Sequence, residues 1–330
     1  MAQVDAQLGT GLDGLDRLLR GLIPGDNLVW QVDAAHEYAP FVTPYARLAR
    51  RRGYRLIYFR FARHQALLSA QDGAEVHELR PEAGFEQFVT DVHAVIQSVG
   101  RGGYYVFDCL SDLAADWYSD QMLGNFFMLT CPYLYDMEAI AYFALLRGHH
   151  SVHATGAISE TTQVFLDVYR HKQEVYLHPL KVQQRYSPTM YTLHVQRGQE
   201  FLPVTQSAVI SEIMNSTVTV PLGSGNTLGI WHRAFLRAQE ALEGARAGGA
   251  SGEPAGEHFR KLLRMAISRD PRVLELLEEY LDLEQVIAIG RRMIGTGLIG
   301  GKSVGMLLAR AILERSDAAW SAPSGPASAC

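Results

Sequence analysis

Residues 26–41 read DNLVWQVDAAHEYAPF, an apolar, β-branched run followed by a short polar turn and the start of a helix. From residue 26 to about residue 205, similar short apolar or aromatic runs alternate with longer segments of helical period. Alternation of this kind predicts a doubly wound α/β domain built around a mainly parallel sheet, with helices on both faces. DNLVWQV, residues 26–32, is then the first strand.

Further strands follow from the same pattern. RLIYFRF at 55–61 and GYYVFDCL at 103–110 are apolar runs, and near-continuous runs mark strands buried on both faces. Helices are predicted over 38–52 and 85–99. Two more strands are predicted near 139–145 and 164–169, and three antiparallel strands at one edge, EVYLHPLKV (174–182), TMYTLHV (189–195) and EFLPV (200–204). The predicted sheet is therefore mixed.

Composition excludes several classes of function. The 330 residues are 48% hydrophobic and 20% charged, with a formal net charge of −5, so no basic excess attracts nucleic acid. Three scattered cysteines provide neither a disulfide framework nor a metal site and fit a reducing cytoplasm. We see no secretory signal, and the longest apolar stretch falls short of the roughly 20 residues that span a bilayer. We expect a cytoplasmic protein with no membrane partner and no bound metal.

The chain is predicted to divide into four parts. Residues 1–215 form the α/β domain, and 216–256 form a flexible linker rich in Gly, Ser, Ala and Pro, clearest in ARAGGASGEPAG. Residues 257–320 have the pattern of amphipathic helices. The last ten residues, 321–330, have no periodicity and are predicted to be disordered.

The segment that leads into the first strand, TGLDGLDRLLRGLIPGDNLVWQV, resembles KaiC-like members of the RecA superfamily. The residues that carry this resemblance are Gly11, Gly14, Leu15, Asp16, Leu18, Leu19, Gly21, Leu22, Pro24 and Gly25. It implies a RecA/KaiC-like fold, in which the first strand leads to a phosphate-binding loop containing glycines, a lysine and a Ser or Thr.

That loop is missing here. Between Asp33 and Phe41 there is no glycine, lysine, serine or threonine, and Glu37 would bring negative charge toward a phosphate. The sequence therefore predicts that the N-terminal domain has lost nucleotide binding and needs no cofactor.

The strand that ends at Asp108 resembles the family's Walker B strand, with Ser111 three residues later. The resemblance implies a vestigial Mg²⁺ position at Asp108 and Ser111. The alternative is that Asp108 only caps the turn after its strand.

Lys181 and Arg185, in HPLKVQQRYSPTM, match basic positions that in active relatives approach a neighbouring subunit's nucleotide. They are candidate anion contacts, and a small phosphate-bearing ligand held by Arg60, Arg63, Lys181 and Arg185 stays open. The alternative is ordinary pairing with surface carboxylates. His149 and His153 have the i, i+4 spacing of a metal pair, but we interpret them as exposed loop histidines. The aromatic segment 117–135 suits either the core or a homo-oligomer interface.

Near the C-terminus, GTGLIGGKSVGM at 295–306 ends its glycine run in Gly-Lys-Ser, but a Walker A motif would need glycine at the position of Thr296. The segment resembles the start of the ATP-grasp domain of phosphoenolpyruvate synthases and pyruvate phosphate dikinases. The resemblance implies that Gly300, Gly301, Lys302 and Ser303 bind ATP, with Lys302 as the phosphate contact and Mg²⁺ as the accompanying ion of the complete protein. The alternative is a glycine-rich helix start with a solvated lysine.

This family carries out ATP-dependent phosphorylation of pyruvate. The chain stops before the second ATP-grasp lobe and before the domain that carries the transfer histidine, so we assign no catalytic residue and expect it to be inactive alone. The alternative function is a non-catalytic, KaiC-like pseudo-ATPase that serves as a regulatory or oligomerisation module.

Overall fold

The structure, a computed structural model, describes residues 8–117, 119–216, 230–246, 255–293 and 298–316. The chain divides into two compact units, Met1–Gly229 and Ile230–Cys330. The first unit is an α/β domain, and the described residues of the second are helical. The predicted α/β class with a mainly parallel, mixed sheet is confirmed.

The sheet of the first unit has nine strands among the described residues, in the order β3-β2-β4-β5-β1-β6-β7-β8-β9. The pairings from β3 to β6 are parallel, and those from β6 to β9 are antiparallel. In chain order the strands are β1 (Asn27–Val32), β2 (Leu56–Arg60), β3 (Ala74–Glu78), β4 (Tyr104–Cys109), β5 (Ile140–Leu146), β6 (Val164–His171), β7 (Glu174–Val182), β8 (His194–Arg197) and β9 (Glu200–Pro203).

The helices of this unit connect and cover the strands. Two of their boundaries have a clear local cause: α2 ends at Gly53, whose φ of 70° stops the helix, and the Ser119 side chain caps α5 by accepting a hydrogen bond from the Met122 N–H. The helices are α1 (Asp13–Leu19), α2 (Ala39–Arg52), α3 (Phe85–Val99), α4 (Ser111–Trp117), α5 (Asp120–Asp136), α6 (Val152–Thr161) and α7 (Ser207–Ser216).

A column of aromatic rings packs α2 onto the sheet. Tyr45 of α2 stacks on Tyr142 of β5 with ring centroids 4.0 Å apart, and Phe41 of α2 stacks on Trp30 of β1 at 4.2 Å. The Tyr45 hydroxyl also donates a hydrogen bond to the Ile140 carbonyl at 2.8 Å. This packing fixes the start of α2, and with it the turn that follows β1, at the carboxyl edge of the sheet.

One strand escaped prediction. β3 has the sequence AEVHE and lies at the edge of the sheet, where only its first residue is buried. A short edge strand buries too little apolar surface to show the continuous run that marks the central strands.

The described helices of the second unit are α8 (Ile230–Arg246), α9 (Ala255–Leu262), α10 (Pro271–Tyr280), α11 (Leu283–Arg292) and α12 (Gly301–Ser316), with a short π-helix at Leu263–Ile267. The prediction of a flexible linker over 216–256 is wrong for residues 230–246, which form helix α8. The apolar residues Trp231, Ala234, Phe235 and Ala238 of α8 are buried and have helical spacing. The Gly-, Ser- and Pro-rich segments on either side obscure this spacing in the sequence. Residues 217–229 and 247–254, like the predicted disordered tail at 321–330, lie outside the described residues.

Of the helices that the structure describes, none combines the length and the apolar character that crossing a membrane requires.

Candidate functional site

The candidate site is the carboxyl edge of the parallel strands in the first unit. In open α/β sheets, ligands bind in the crevice beyond this edge. β1, β2, β4 and β5 all end here, and each is followed by ionisable side chains. What these side chains contact decides whether the edge can receive a nucleotide.

A glutamate side chain within the turn after β1 binds the backbone N–H groups of that turn. Glu37, which is 7% exposed, accepts hydrogen bonds from the backbone N–H groups of Asp33 at 3.1 Å and Ala34 at 3.3 Å. Its other oxygen lies 3.3 Å from the Arg170 guanidinium. In a phosphate-binding loop, free N–H groups of this turn would face the anion. Here an internal carboxylate takes them.

Tyr38 fills space at the same turn. Its side chain is fully buried, and burial raises the pKa of its hydroxyl well above the usual value, with Tyr142 and Asp108 adding to the effect. Nucleotide-binding loops use glycine so that the backbone can approach the phosphates closely. A buried aromatic side chain at this position prevents the backbone from approaching a phosphate closely.

Asp108, at the end of β4, holds the segment after β2. Its carboxylate is fully buried and accepts hydrogen bonds from the Tyr58 hydroxyl, from Arg60 Nη1 at 2.6 Å, and from the backbone N–H groups of Phe61 and Ala62, both at 2.9 Å. Three of these donors converge on Oδ2, and the Tyr58 hydroxyl binds Oδ1. The geometry favours the turn-capping interpretation of Asp108 over a vestigial Mg²⁺ ligand.

His64 lies next to Asp108 but does not form an ion pair with it. Its Nε2 accepts a hydrogen bond from the Cys109 N–H at 3.2 Å, and its Nδ1 lies 2.8 Å from the Gln65 carbonyl, which can only accept. The ring is therefore neutral and protonated at Nδ1. His64 Nε2 lies 3.6 Å from an Asp108 oxygen, but it has no proton to donate to that oxygen.

Arg147, directly after β5, connects the end of β1 with the middle of β6. It donates to Asp33 at 2.7 Å, to Asp167 at 2.5 Å and to the Val168 carbonyl, and its guanidinium stacks 4.2 Å above the Tyr169 ring. Burial disfavours the charge of Arg147, but the Asp167 and Asp33 carboxylates outweigh it and raise its pKa. The cation is neutralised inside the chain.

Lys181 and Arg185, the predicted anion contacts, lie at the opposite, amino edge of the parallel strands. Lys181 pairs in register with the start of β6 and donates to the Ser159 and Glu160 carbonyls at the end of α6, both at 2.8 Å. Arg185 forms a bidentate pair with Asp26 at 2.7 and 3.2 Å, and both side chains are buried.

The four-cation phosphate site that the sequence left open is therefore not formed. Arg60 is the last residue of β2 and Arg63 follows it at the carboxyl edge, whereas Lys181 and Arg185 lie at the amino edge. The Arg63 side chain is 90% exposed and lies 3.4 Å from Asp116. Parallel strands hold these two pairs of cations at opposite ends of the sheet, a separation that sequence spacing cannot reveal.

In the second unit, α12 begins at Gly301, and the Val304 N–H donates to the Gly300 carbonyl at 3.1 Å. Lys302 and Ser303 are exposed in the first helical turn. A groove between α11 and α12 reaches this turn and is lined by Ile289, Arg292, Met293, Ile299, Ser303, Met306 and Leu307. Residues 294–297, which begin the predicted glycine loop, lie outside the described part of the chain.

No protein-family model matches this chain, and a search of curated proteins finds no match either. Within the described residues, no group of three or more His, Cys, Asp or Glu side chains is arranged to hold a metal ion.

Sequence reasoning missed His150, which lies between the two histidines that it singled out. His149 and His153 are exposed, and His153 lies on α6 rather than in a loop. His150 is buried, with its Nε2 2.7 Å from Ser111 Oγ. Ser111 thus contacts a histidine rather than a metal position. A signal was available, because both residues follow buried parallel strands and so share one edge of the sheet.

Proposed function

We propose that residues 1–215 are a RecA/KaiC-like pseudo-ATPase: a domain that keeps the fold, has lost nucleotide binding and ATPase catalysis, and serves as a regulatory or oligomerisation module. The observation that carries this proposal is the Glu37 carboxylate on the N–H groups of Asp33 and Ala34. The buried carboxylate of Asp108 supports it, because its four hydrogen bonds hold β2 and the segment after it.

We further propose that the second unit begins an ATP-grasp domain of the phosphoenolpyruvate synthase type, whose complete protein phosphorylates pyruvate with ATP. The support is the exposed Lys302 in the first turn of α12. Gly300 and Gly301 have no positive φ, and a Cβ added at either would meet no described atom within 4 Å. Neither strain nor packing explains these glycines, whereas close approach of a ligand to the backbone does.

The test is titration of Mg·ATP into the full chain. Because Lys302 supplies the phosphate contact, we expect Lys302→Ala to raise the Kd by about tenfold or more, the cost of one charge-assisted hydrogen bond. Lys261→Ala, on helix α9 of the same unit, is the control and should leave the Kd unchanged. Equal affinity in the native chain and the Lys302 variant would contradict the ATP-grasp proposal.

A further inference from the structure

Three side chains of the first unit form a continuous hydrogen-bonded chain that the proposed function does not use. Ser111 Oγ lies 2.7 Å from His150 Nε2, and His150 Nδ1 lies 3.0 Å from Asp120 Oδ1. The three residues are only 5–7% exposed. This is the atom-by-atom arrangement of a serine nucleophile, its general base and an orienting carboxylate.

The fold brings the three residues together from separate elements. Ser111 is the first residue of α4, just beyond β4, and Asp120 is the first residue of α5. His150 lies in the short connection between β5 and α6. Their order along the chain, Ser, Asp, His, is also that of the α/β-hydrolases, although such triads are recognised by geometry rather than by order.

The remaining hydrogen bonds fix the direction of each proton. The Leu146 N–H donates to Ser111 Oγ at 2.8 Å, so the serine proton is left to point at His150 Nε2. The Asp120 carboxylate can only accept, so His150 carries its proton on Nδ1 and presents the Nε2 lone pair to the hydroxyl. The Ser151 N–H donates to the second Asp120 oxygen at 3.1 Å and holds the carboxylate in place.

We propose that Ser111 is a nucleophile for acyl transfer from small activated esters, with His150 as the general base and Asp120 as a positioning residue. Ser111 Oγ forms a bond to the ester carbonyl carbon while its proton passes to His150 Nε2. The bond from carbon to the leaving oxygen breaks, and the leaving group takes that proton. Water then attacks the acyl-serine, giving a proton to His150, and the carboxylic acid leaves as Ser111 regains its hydrogen.

The surroundings limit the substrate class. Ser111 is 7% exposed, so only a small acyl group can reach it. Ser111 also has no positive φ, unlike the strained serine of a nucleophile elbow. The hydroxyl is therefore oriented toward its base but not projected into solvent, and a small ester with a good leaving group is the class that fits.

The test is covalent labelling of the full chain with diisopropyl fluorophosphate. The serine oxygen bonds to phosphorus while fluoride leaves with the proton, so one label is expected on Ser111 by peptide mass mapping. His150→Gln should slow labelling by about 100-fold or more, and Ser111→Ala should abolish it. Ser119→Ala is the matched control, because it removes the nearby helix cap of α5 and leaves the three-residue chain intact.

Hydrolysis of p-nitrophenyl acetate separates positioning from structure. Asp120→Asn is expected to lower kcat by about 100-fold or more with KM little changed, because the amide favours the wrong histidine tautomer. A native chain without a label, a label on another residue, or undiminished labelling in His150→Gln would overturn the proposal. Labelling of the native chain decides the question even if the variants fail to fold, and no outcome bears on the proposed loss of nucleotide binding.

Discussion

Arg185→Met is expected to lower the free energy of unfolding by about 3–5 kcal/mol, because it leaves a buried carboxylate without its cation. Asp26 is fully buried and Arg185 is 6% exposed in its side chain, so water cannot replace the lost partner. Chemical denaturation followed by circular dichroism measures the loss. Arg17→Met is the matched control: its pair with Glu200 is exposed to solvent, so we expect little change in the free energy of unfolding.

The pH dependence of this defect has a definite sign. Burial raises the pKa of Asp26 above its ordinary value, and Arg185 offsets part of that rise. Without Arg185 the folded-state pKa rises further, so the native state takes up a proton before the unfolded state does as the pH falls. The stability loss of Arg185→Met should therefore shrink as the pH falls through the raised folded-state pKa that Asp26 has in the variant. A loss that is independent of pH, or no loss at all, would contradict the buried ion pair.

Asp108→Ala is expected to cost a similar amount, about 3–5 kcal/mol. The substitution removes the acceptor of four hydrogen bonds and leaves the Phe61 and Ala62 N–H groups and the partly buried Arg60 without it. Because this carboxylate organises the segment after β2, we also expect faster proteolysis there. Thermal and chemical unfolding measure the first effect, and limited digestion measures the second.

Asp116→Ala is the control for Asp108. It removes a nearby carboxylate whose partner Arg63 is almost fully exposed, so the expected cost is below about 1 kcal/mol. If both substitutions were equally mild, Asp108 would not hold the segment together, and its interpretation as a turn cap would fail.

Much of the fold was predictable because its central strands are apolar along most of their length. DNLVWQV and GYYVFDCL correspond to β1 and β4 within a residue or two. The edge strand β3 and helix α8 were not predicted, since the first buries little surface and the second lies between two glycine-rich segments. Local pattern identifies elements that carry their own burial signal and misses those whose burial depends on distant partners.

The site was predictable only as an absence. The missing glycine and lysine between Asp33 and Phe41 can be read from the sequence, but the hydrogen bonds of Glu37 within its own turn cannot. The separation of Arg60 from Lys181 depends on strand direction, and the contact of Ser111 with His150 on the adjacency of β4 and β5. Both depend on how the strands are arranged in the sheet, and residue spacing does not contain that information.

The most direct measurement of the central claim is amide hydrogen exchange of the full chain, with and without Mg·ATP at millimolar concentration. If Glu37 closes the turn after β1, the Asp33 and Ala34 amides exchange slowly in both conditions, and no peptide covering residues 33–42 gains protection when nucleotide is added. Protection that appears in this turn only with Mg·ATP would contradict the account, because it would mean that the domain still binds nucleotide there.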